Sequence, residues 1–372
     1  MLNIDSDFPG GNIIVEKIDG DDVWLRQDLR DTEGWWFYWC LRITGAAGRE
    51  VTLHFTDGNV LTERGASISD DGLHWRWLAP ETAEGDSFTF RFPDDAGPLR
   101  VTYSTPYLEA NLNQFLEKHR GRPELQVSEL AKSEQGRPVE KLLVRDADVA
   151  SPRKVLLSAR RHACESVANY EIEGIIEFTL DRSSGFLDRA ELLIIPFVDK
   201  DGVEDGDQGK NRRPHDHNRD YTDAPVYAAT RALTAELDTW ADERLDISLD
   251  LHCPWIRGGR NDTLFFCEPP ESHQAEFRRF TGILAETQTG AVRYDPANDI
   301  GHGVDWNVGT NPTWCRYVRE HTAAALVTTL EFPYALASGE TVTADRAREF
   351  GRSLARAMLL YLDARPEAED VS

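Results

Sequence analysis

Near Thr102 the hydrophobic pattern of this chain changes its period, and no other feature restricts the possible folds as much. Between Asn12 and about Thr102 the apolar residues sit in short runs, NIIVEKI, DVWLRQD, WWFYWCLRI, EVTLHFT, HWRWLA and SFTFRF, separated by Gly, Asp and Asn. Alternation with period two turns one face of each run inward, and turn signals at intervals of roughly 8 to 12 residues leave room only for strands joined by short loops. Residues 1–104 are therefore expected to form an all-β antiparallel sandwich domain. Within it, Trp35, Trp36, Tyr38 and Trp39 read as part of a strand. Rings in such a run belong to a core more often than to a surface that holds a partner or glycan.

Beyond Thr102 the period lengthens. The segment YLEANLNQFLEKH carries apolar residues at helical spacing, and VSELAKSEQGRPVEKLLV reads as a hairpin about Gln135 and Gly136. Four short apolar strands follow, KVLLSAR, ELLIIPFV, LDISLDL and ALVTTLEF, alternating with helical stretches near 166–181, 224–239, 271–287 and 344–363. Such alternation predicts an α/β catalytic domain over 105–365 with a mixed central β-sheet flanked by helices. Residues 366–372 read as a polar tail.

Charge and cysteine usage narrow the function. A formal net charge of −24, with no Lys/Arg-rich run, repels phosphate backbones and argues against a nucleic-acid partner. No apolar stretch approaches the ~18 residues of a membrane span, and the amino terminus shows no basic-then-apolar leader, so a cytoplasmic protein without a membrane partner is expected. The five cysteines are odd in number and form no C-x-x-C pair, which fits reduced thiols better than a disulfide framework or a thiolate zinc site. Cys164 and Cys253 flank proposed metal ligands, so a ligand role for either stays open.

The chemistry concentrates at strand ends. In SARRHACESVANYE a strand closes just before His162 and a helix opens near Ser166, so His162 and Glu165, three apart in the intervening turn, can converge on one metal. Alone, H-x-x-E is weak evidence, and a solvated turn explains most such pairs. His252 closes a second strand in LDISLDLHCPW. Two imidazoles and one carboxylate, with a fourth position open, are what a single catalytic Zn2+ requires. Between them lies a Gly/Asp-rich loop carrying Arg212, Arg213 and Arg219, cationic in an acidic chain and suited to bidentate carboxylate capture. Glu331 ends the buried-looking run AAALVTTLE, an expensive place for a carboxylate unless it serves as a general base.

The order of these motifs, over roughly Leu125 to Leu360, resembles the zinc metallocarboxypeptidases of the carboxypeptidase A type. The cytosolic carboxypeptidase subgroup, which carries a β-sandwich before the catalytic domain, is most similar. The resemblance implies that His162, Glu165 and His252 hold zinc, that Asp216 hydrogen-bonds a ligand imidazole, and that Asn218 and Arg219 hold a substrate's terminal carboxylate. It further implies that a loop arginine, Arg212 or its competitor Arg213, polarises the scissile carbonyl. A family Gly-x-x-Asp-Trp motif matches GHGVDW at 301–306, which would place apolar Val304 in the specificity pocket and leave that pocket without an obvious cation; Tyr294 is the nearest preceding tyrosine. The expected activity is hydrolysis of the C-terminal amide bond of a peptide or protein. An amidase or deacylase acting on an acyl-amino acid or cell-wall peptide, and a non-catalytic zinc-binding interaction protein, are the alternatives.

Overall fold

The computed structural model describes residues 1–150, 152–241 and 245–365; the expected tail at 366–372 lies outside the described residues. The carboxyl-terminal two thirds is built on a seven-stranded sheet, its strands numbered here within that sheet. They are β1 (Leu125–Lys132), β2 (Pro138–Val144), β3 (Arg153–Ala159), β4 (Ala190–Ile195), β5 (Leu245–His252), β6 (Phe265–Cys267) and β7 (Leu326–Glu331). Their spatial order is β1-β2-β4-β3-β5-β7-β6. The four central strands β4, β3, β5 and β7 run parallel, and β1, β2 and β6 add antiparallel edges, so the sheet is mixed as the strand-helix alternation predicts.

Period-two patterning divides the core between the two faces of this sheet. Val155, Leu157, Leu192 and Ile194 face one apolar cluster, whereas Leu156, Leu193 and Ile195 face a second that includes Leu233, Trp314 and Val318. On the first face the helices Ala168–Leu180 and Ala344–Asp363 pack together. A side chain at Gly174 would collide with the backbone oxygen of Arg348, and one at Gly351 with that of Glu171, so the two glycines allow the close crossing. The helices expected near 224–239 and 271–287 are present as Ala228–Glu236 and Gln274–Thr287.

Two five-stranded sheets precede this layer. One, ordered Asn3–Asp5, Cys40–Thr44, Leu99–Thr102, Ser67–Ser69 and Arg76–Trp77, is antiparallel throughout. The other contains Ile14–Asp19, Asp22–Arg26, Glu50–Phe55, Ser87–Arg91 and Ala83–Glu84, antiparallel except where Asp22–Arg26 pairs in parallel with Glu50–Phe55. The expected strand through Trp35–Trp39 is not one: the strand begins at Cys40. Polar groups of the segment bond elsewhere, with Tyr38 N–H donating to Gln208 Oε1 (2.7 Å) and Trp39 Nε1–H to Val60 O (2.8 Å). Phe37, Tyr38 and Trp39 are buried, while Trp35 and Trp36 are half-buried at the boundary with the large sheet.

One apolar cluster runs through both regions, and hydrogen bonds stitch them together. Trp77 Nε1–H donates to Val342 O (2.7 Å) and Tyr103 O–H to Cys164 O (2.8 Å). No helix among the described residues is long and apolar enough to cross a membrane.

Candidate active site

The parallel strands deliver their carboxyl ends to one edge of the sheet, where side chains of different strands meet. His252, the last residue of β5, lies in register with Glu331, the last of β7. β3 ends at Ala159 and the chain turns at Arg160 (φ +60°). The buried Arg160 guanidinium braces this turn, donating to Ala163 O (2.9 Å), Tyr107 O (2.7 Å) and Asn169 Oδ1 (3.0 Å). The turn so held presents His162 and Glu165.

These three residues converge. His162 Nδ1 lies 2.8 Å from Glu165 Oε1, His252 Nδ1 lies 2.7 Å from Glu165 Oε2, and the two Nδ1 atoms are 3.2 Å apart. Among the described residues they form the one group of His, Cys, Asp or Glu with ligand atoms that close, all within 4.8 Å of one another. No thiol joins them, and all five cysteines are buried and free.

The surroundings fit a cation. His252 Nε2 faces Asp250 Oδ2 at 2.9 Å, and His162 Nε2 faces Asp216 Oδ1 at 3.6 Å, so each ring turns Nδ1 inward and its far nitrogen toward a carboxylate, as metal-ligating histidines do. Burial opposes charge on His252, yet the Asp250 and Glu165 carboxylates push its pKa up to about 10. Burial likewise opposes charge on Asp216, and the neighbouring His162 overrides it, holding the carboxyl well below the usual range. Glu331 is pushed up to about 8, first by burial and then by Glu165, with His252 opposing. Glu331 Oε2 is buried with no hydrogen-bond partner. An anionic cradle around two inward-facing imidazole nitrogens matches the donor set of a single Zn2+.

Asp250 is itself anchored. It receives Ser158 Oγ–H (3.2 Å) and pairs with Arg161, a fully buried guanidinium that also lies over the rings of Tyr221 and Trp314. Sequence reasoning named Asp216 and missed Asp250, although Asp-x-His at a strand end places both side chains on one face.

The cluster opens into a cavity of about 600 Å³ lined by His162, Lys210, Asn218, Arg219, His252, Arg319 and Glu331 among others. Asn218 and Arg219 stand in a single turn, His217–Arg219, capped by Asp216, whose Oδ1 accepts from Asn218 N–H (3.0 Å). Asn218 Oδ1 accepts from Trp314 N–H (3.3 Å).

Arg212, Arg213, Val304 and Tyr294 are absent from the cavity wall. Arg212 points away into three carboxylates, Asp31 (3.0 Å), Asp199 (3.0 Å) and Asp207 (3.5 Å), and so ties the loop to the amino-terminal region. Arg213 is exposed and pairs with Glu33. Val304 is 46% exposed in a surface turn, where it contributes no wall. Tyr294 is buried and donates to Asp299 Oδ2 (2.6 Å), outside the cavity. Of the cations in this loop, Lys210 lines the cavity, and its Nζ lies 3.4 Å from Glu165 Oε1. Nor does the pocket lack positive charge: Arg260, Arg316 and Arg319 also line it.

No family model matches the chain. A crystal structure of a metallo-carboxypeptidase from Burkholderia cenocepacia superposes with a TM-score of 0.80 over 97% of this chain and 99% of that one, at 21% identity. The chain therefore has the metallocarboxypeptidase fold, and the superposition includes the amino-terminal β region. In sequence it is similar to cytosolic carboxypeptidase 6 of Caenorhabditis elegans, 29% identical over 68% of this chain and 62% of the other. It is also similar to an uncharacterized protein of Zymomonas mobilis, 23% identical over 90% of this chain and 88% of the relative.

Proposed function

We propose that this protein is a zinc-dependent metallocarboxypeptidase that hydrolyses the C-terminal amide bond of a peptide or protein. The observation that carries the reading is one cavity in which the His162/Glu165/His252 cluster, the unpartnered carboxyl of Glu331 and the Asn218/Arg219 pair all meet. A Zn2+ ion held by His162, Glu165 and His252 would supply Lewis-acid polarisation of a carbonyl and make water a stronger acid. Glu331 takes a proton from the attacking water as its oxygen bonds to the carbonyl carbon. It then hands that proton to the leaving nitrogen as the C–N bond breaks. Arg219, with Asn218 beside it, holds the free carboxylate and sets the terminal bond in reach. Asp250 and Asp216 orient the two imidazoles.

The wall of the cavity supports a substrate class. Arg319 is half-buried in the helix Trp314–His321, donates to Val327 O (3.3 Å) and makes no ion pair among the described residues. Burial lowers its pKa from the ordinary arginine value. A guanidinium desolvated without a carboxylate is costly unless a ligand brings one, so the pocket favours a terminal residue with an acidic side chain.

The amino-terminal β region (1–104) and the catalytic domain (105–365) form the two parts of the enzyme, and five buried unpaired cysteines fit a reducing, cytoplasmic compartment. Elemental analysis of wild type and His252→Ala, followed by a screen of peptides varied at the C-terminus, tests the reading. The expected result is about one zinc per wild-type chain, none in the variant, and trimming of peptides with free C-termini. Reaction with acyl-amino acids alone would replace the peptidase by an amidase or deacylase, and a chain that binds no metal would sink both.

A further inference from the structure

Hydrolysis of an amide places a full negative charge on the former carbonyl oxygen, and a site that stabilises it needs a cation beside the metal cluster. Arg212, the residue the loop pattern suggests, is committed to three carboxylates and lies off the cavity. Lys210, two residues earlier, is the loop's cation at the cluster itself, with its side chain 24% exposed and its Nζ 3.4 Å from Glu165 Oε1.

Its position is built by the backbone. The loop runs hard against the ligand turn: Cys164 N–H donates to Gln208 O (3.3 Å), and a side chain at Gly209 (φ +73°) would collide with Ala163 N. Only glycine permits that approach, and the next residue is thereby set at the metal end of the cavity.

The ammonium is also seated. Lys210 Nζ lies 5.3 Å from the centre of the Trp36 ring, and Trp36 also lines the cavity. The indole is fixed in turn, its N–H donating to Cys164 Sγ (3.3 Å) and its ring meeting Trp255 edge-on at 4.9 Å. An ammonium on a flexible four-carbon stem lacks the preorganisation of a guanidinium, and an aromatic face restores part of it at a cost in exposed area rather than in charge. Lys210 has one carboxylate within ion-pair distance, the ligand Glu165, against three at Arg212.

We propose that Lys210 is the catalytic cation that stabilises the oxyanion formed at the scissile carbonyl, and that Trp36, contributed by the amino-terminal β region, is its positioning residue. As water adds to the carbonyl carbon, the C=O π pair moves onto oxygen and the Lys210 ammonium donates a hydrogen bond to it. When the C–N bond breaks the pair returns, and Lys210 ends each cycle with its proton. The amino-terminal region is thus part of the catalytic centre.

This inference rests on the peptidase reading, so the experiment is arranged to separate the two. Zinc-loaded wild type, Lys210→Met, Lys210→Arg and Trp36→Leu are compared for zinc affinity, kcat, KM, and affinity for a phosphonate peptide that mimics the tetrahedral state. For Lys210→Met we expect kcat to fall about 10²-fold or more, as on removal of an oxyanion donor. Phosphonate affinity should fall in step, with KM and zinc affinity near wild type. Lys210→Arg should recover most of the loss, and Trp36→Leu should show the same pattern at about two- to fivefold, the scale of one exposed cation–π contact. Unchanged kcat in Lys210→Met, or a loss matched by weakened zinc binding, overturns the inference and leaves the peptidase intact; the second result would make Lys210 a support for Glu165. A zinc-loaded wild type that turns over no peptide overturns both.

Discussion

The two ends of the cavity are built by different rules. At the metal end the three candidate ligands and Glu331 stand at strand termini or in the turn directly after one, and both imidazoles are backed by a second residue: Asp250, itself held by Arg161, behind His252, and Asp216 behind His162. At the far end the wall comes largely from the loops between Cys253 and Thr313 and from one short helix, Trp314–His321, with its charges in solvent-accessible pairs or in none. Arg260 meets Asp305 at 3.3 Å and Arg316 meets Glu320 at 2.7 Å, whereas Arg319 makes no ion pair among the described residues. A site backed by rigid elements keeps its geometry through a catalytic cycle, whereas a loop-built wall is where substrate choice is set. The metal end is thus expected to be sensitive to any change, and the wall to changes in only a few residues.

The sharpest division between the ends is chemical. Glu331→Gln keeps the shape of the site and removes the base, so kcat is expected to fall about 10²–10⁴-fold with zinc content unchanged, as steady-state kinetics with parallel elemental analysis would show. Arg319→Met, at the opposite end, is expected to lower kcat/KM for peptides ending in Asp or Glu by about 10²-fold, near the low end of the cost of leaving a buried charge unpaired. Peptides with a neutral terminal residue should be spared. Equal losses on both substrates would show that the wall supports the metal end rather than selecting substrate.

Asp250→Asn tests whether the backing residues matter as the contrast requires. Zinc affinity is expected to fall about 10–100-fold, measured by competition with a chelating dye. The variant also leaves the Arg161 charge buried without its partner, so a lowered melting temperature should accompany the loss.

The smallest effect concerns pH. In the metal-free protein burial raises Glu331 from its ordinary 4.5 to about 8. Between those values the folded chain holds a proton that the unfolded chain has released, so this group's contribution is intact below pH 4.5 and is lost progressively as pH rises toward 8. Metal-free Glu331→Gln should therefore melt close to metal-free wild type at pH 4.5 and a few degrees higher at pH 8. Scanning calorimetry in chelator measures the difference. Added zinc should abolish it in wild type by favouring the ionised carboxylate, and an equal gap at both pH values would break the account.

The contrast between the two ends also marks how far the sequence could be read. His162, Glu165, His252 and Glu331 were legible because a short apolar run ending in a polar side chain announces a strand terminus. A parallel sheet then gathers such termini at one edge whatever the rest of the chain does. The mixed sheet and its flanking helices followed from the same local periodicities. Asp250 was legible in principle, two residues before His252 on the same strand face, but an acid inside a buried strand is recognised as a support only once its partners His252 and Arg161 are seen.

The loop and the wall were not legible, and the reason is physical. Three cations lie within four residues at Lys210, Arg212 and Arg213, and nothing local distinguishes them. Their directions were decided by Asp31, Asp199 and Asp207, which captured Arg212, by Glu33, which drew Arg213 to the surface, and by Trp36, over which Lys210 lies. Of the motif at 301–306, His302, Asp305 and Trp306 line the cavity while Val304 does not, and the helix Trp314–His321 brings Arg319 to the wall. The chain by itself determined which residues end the strands, because hydrophobic period and strand length are local properties. Only the tertiary structure decided which charges face the cavity, because a long cationic side chain goes where distant partners best satisfy it.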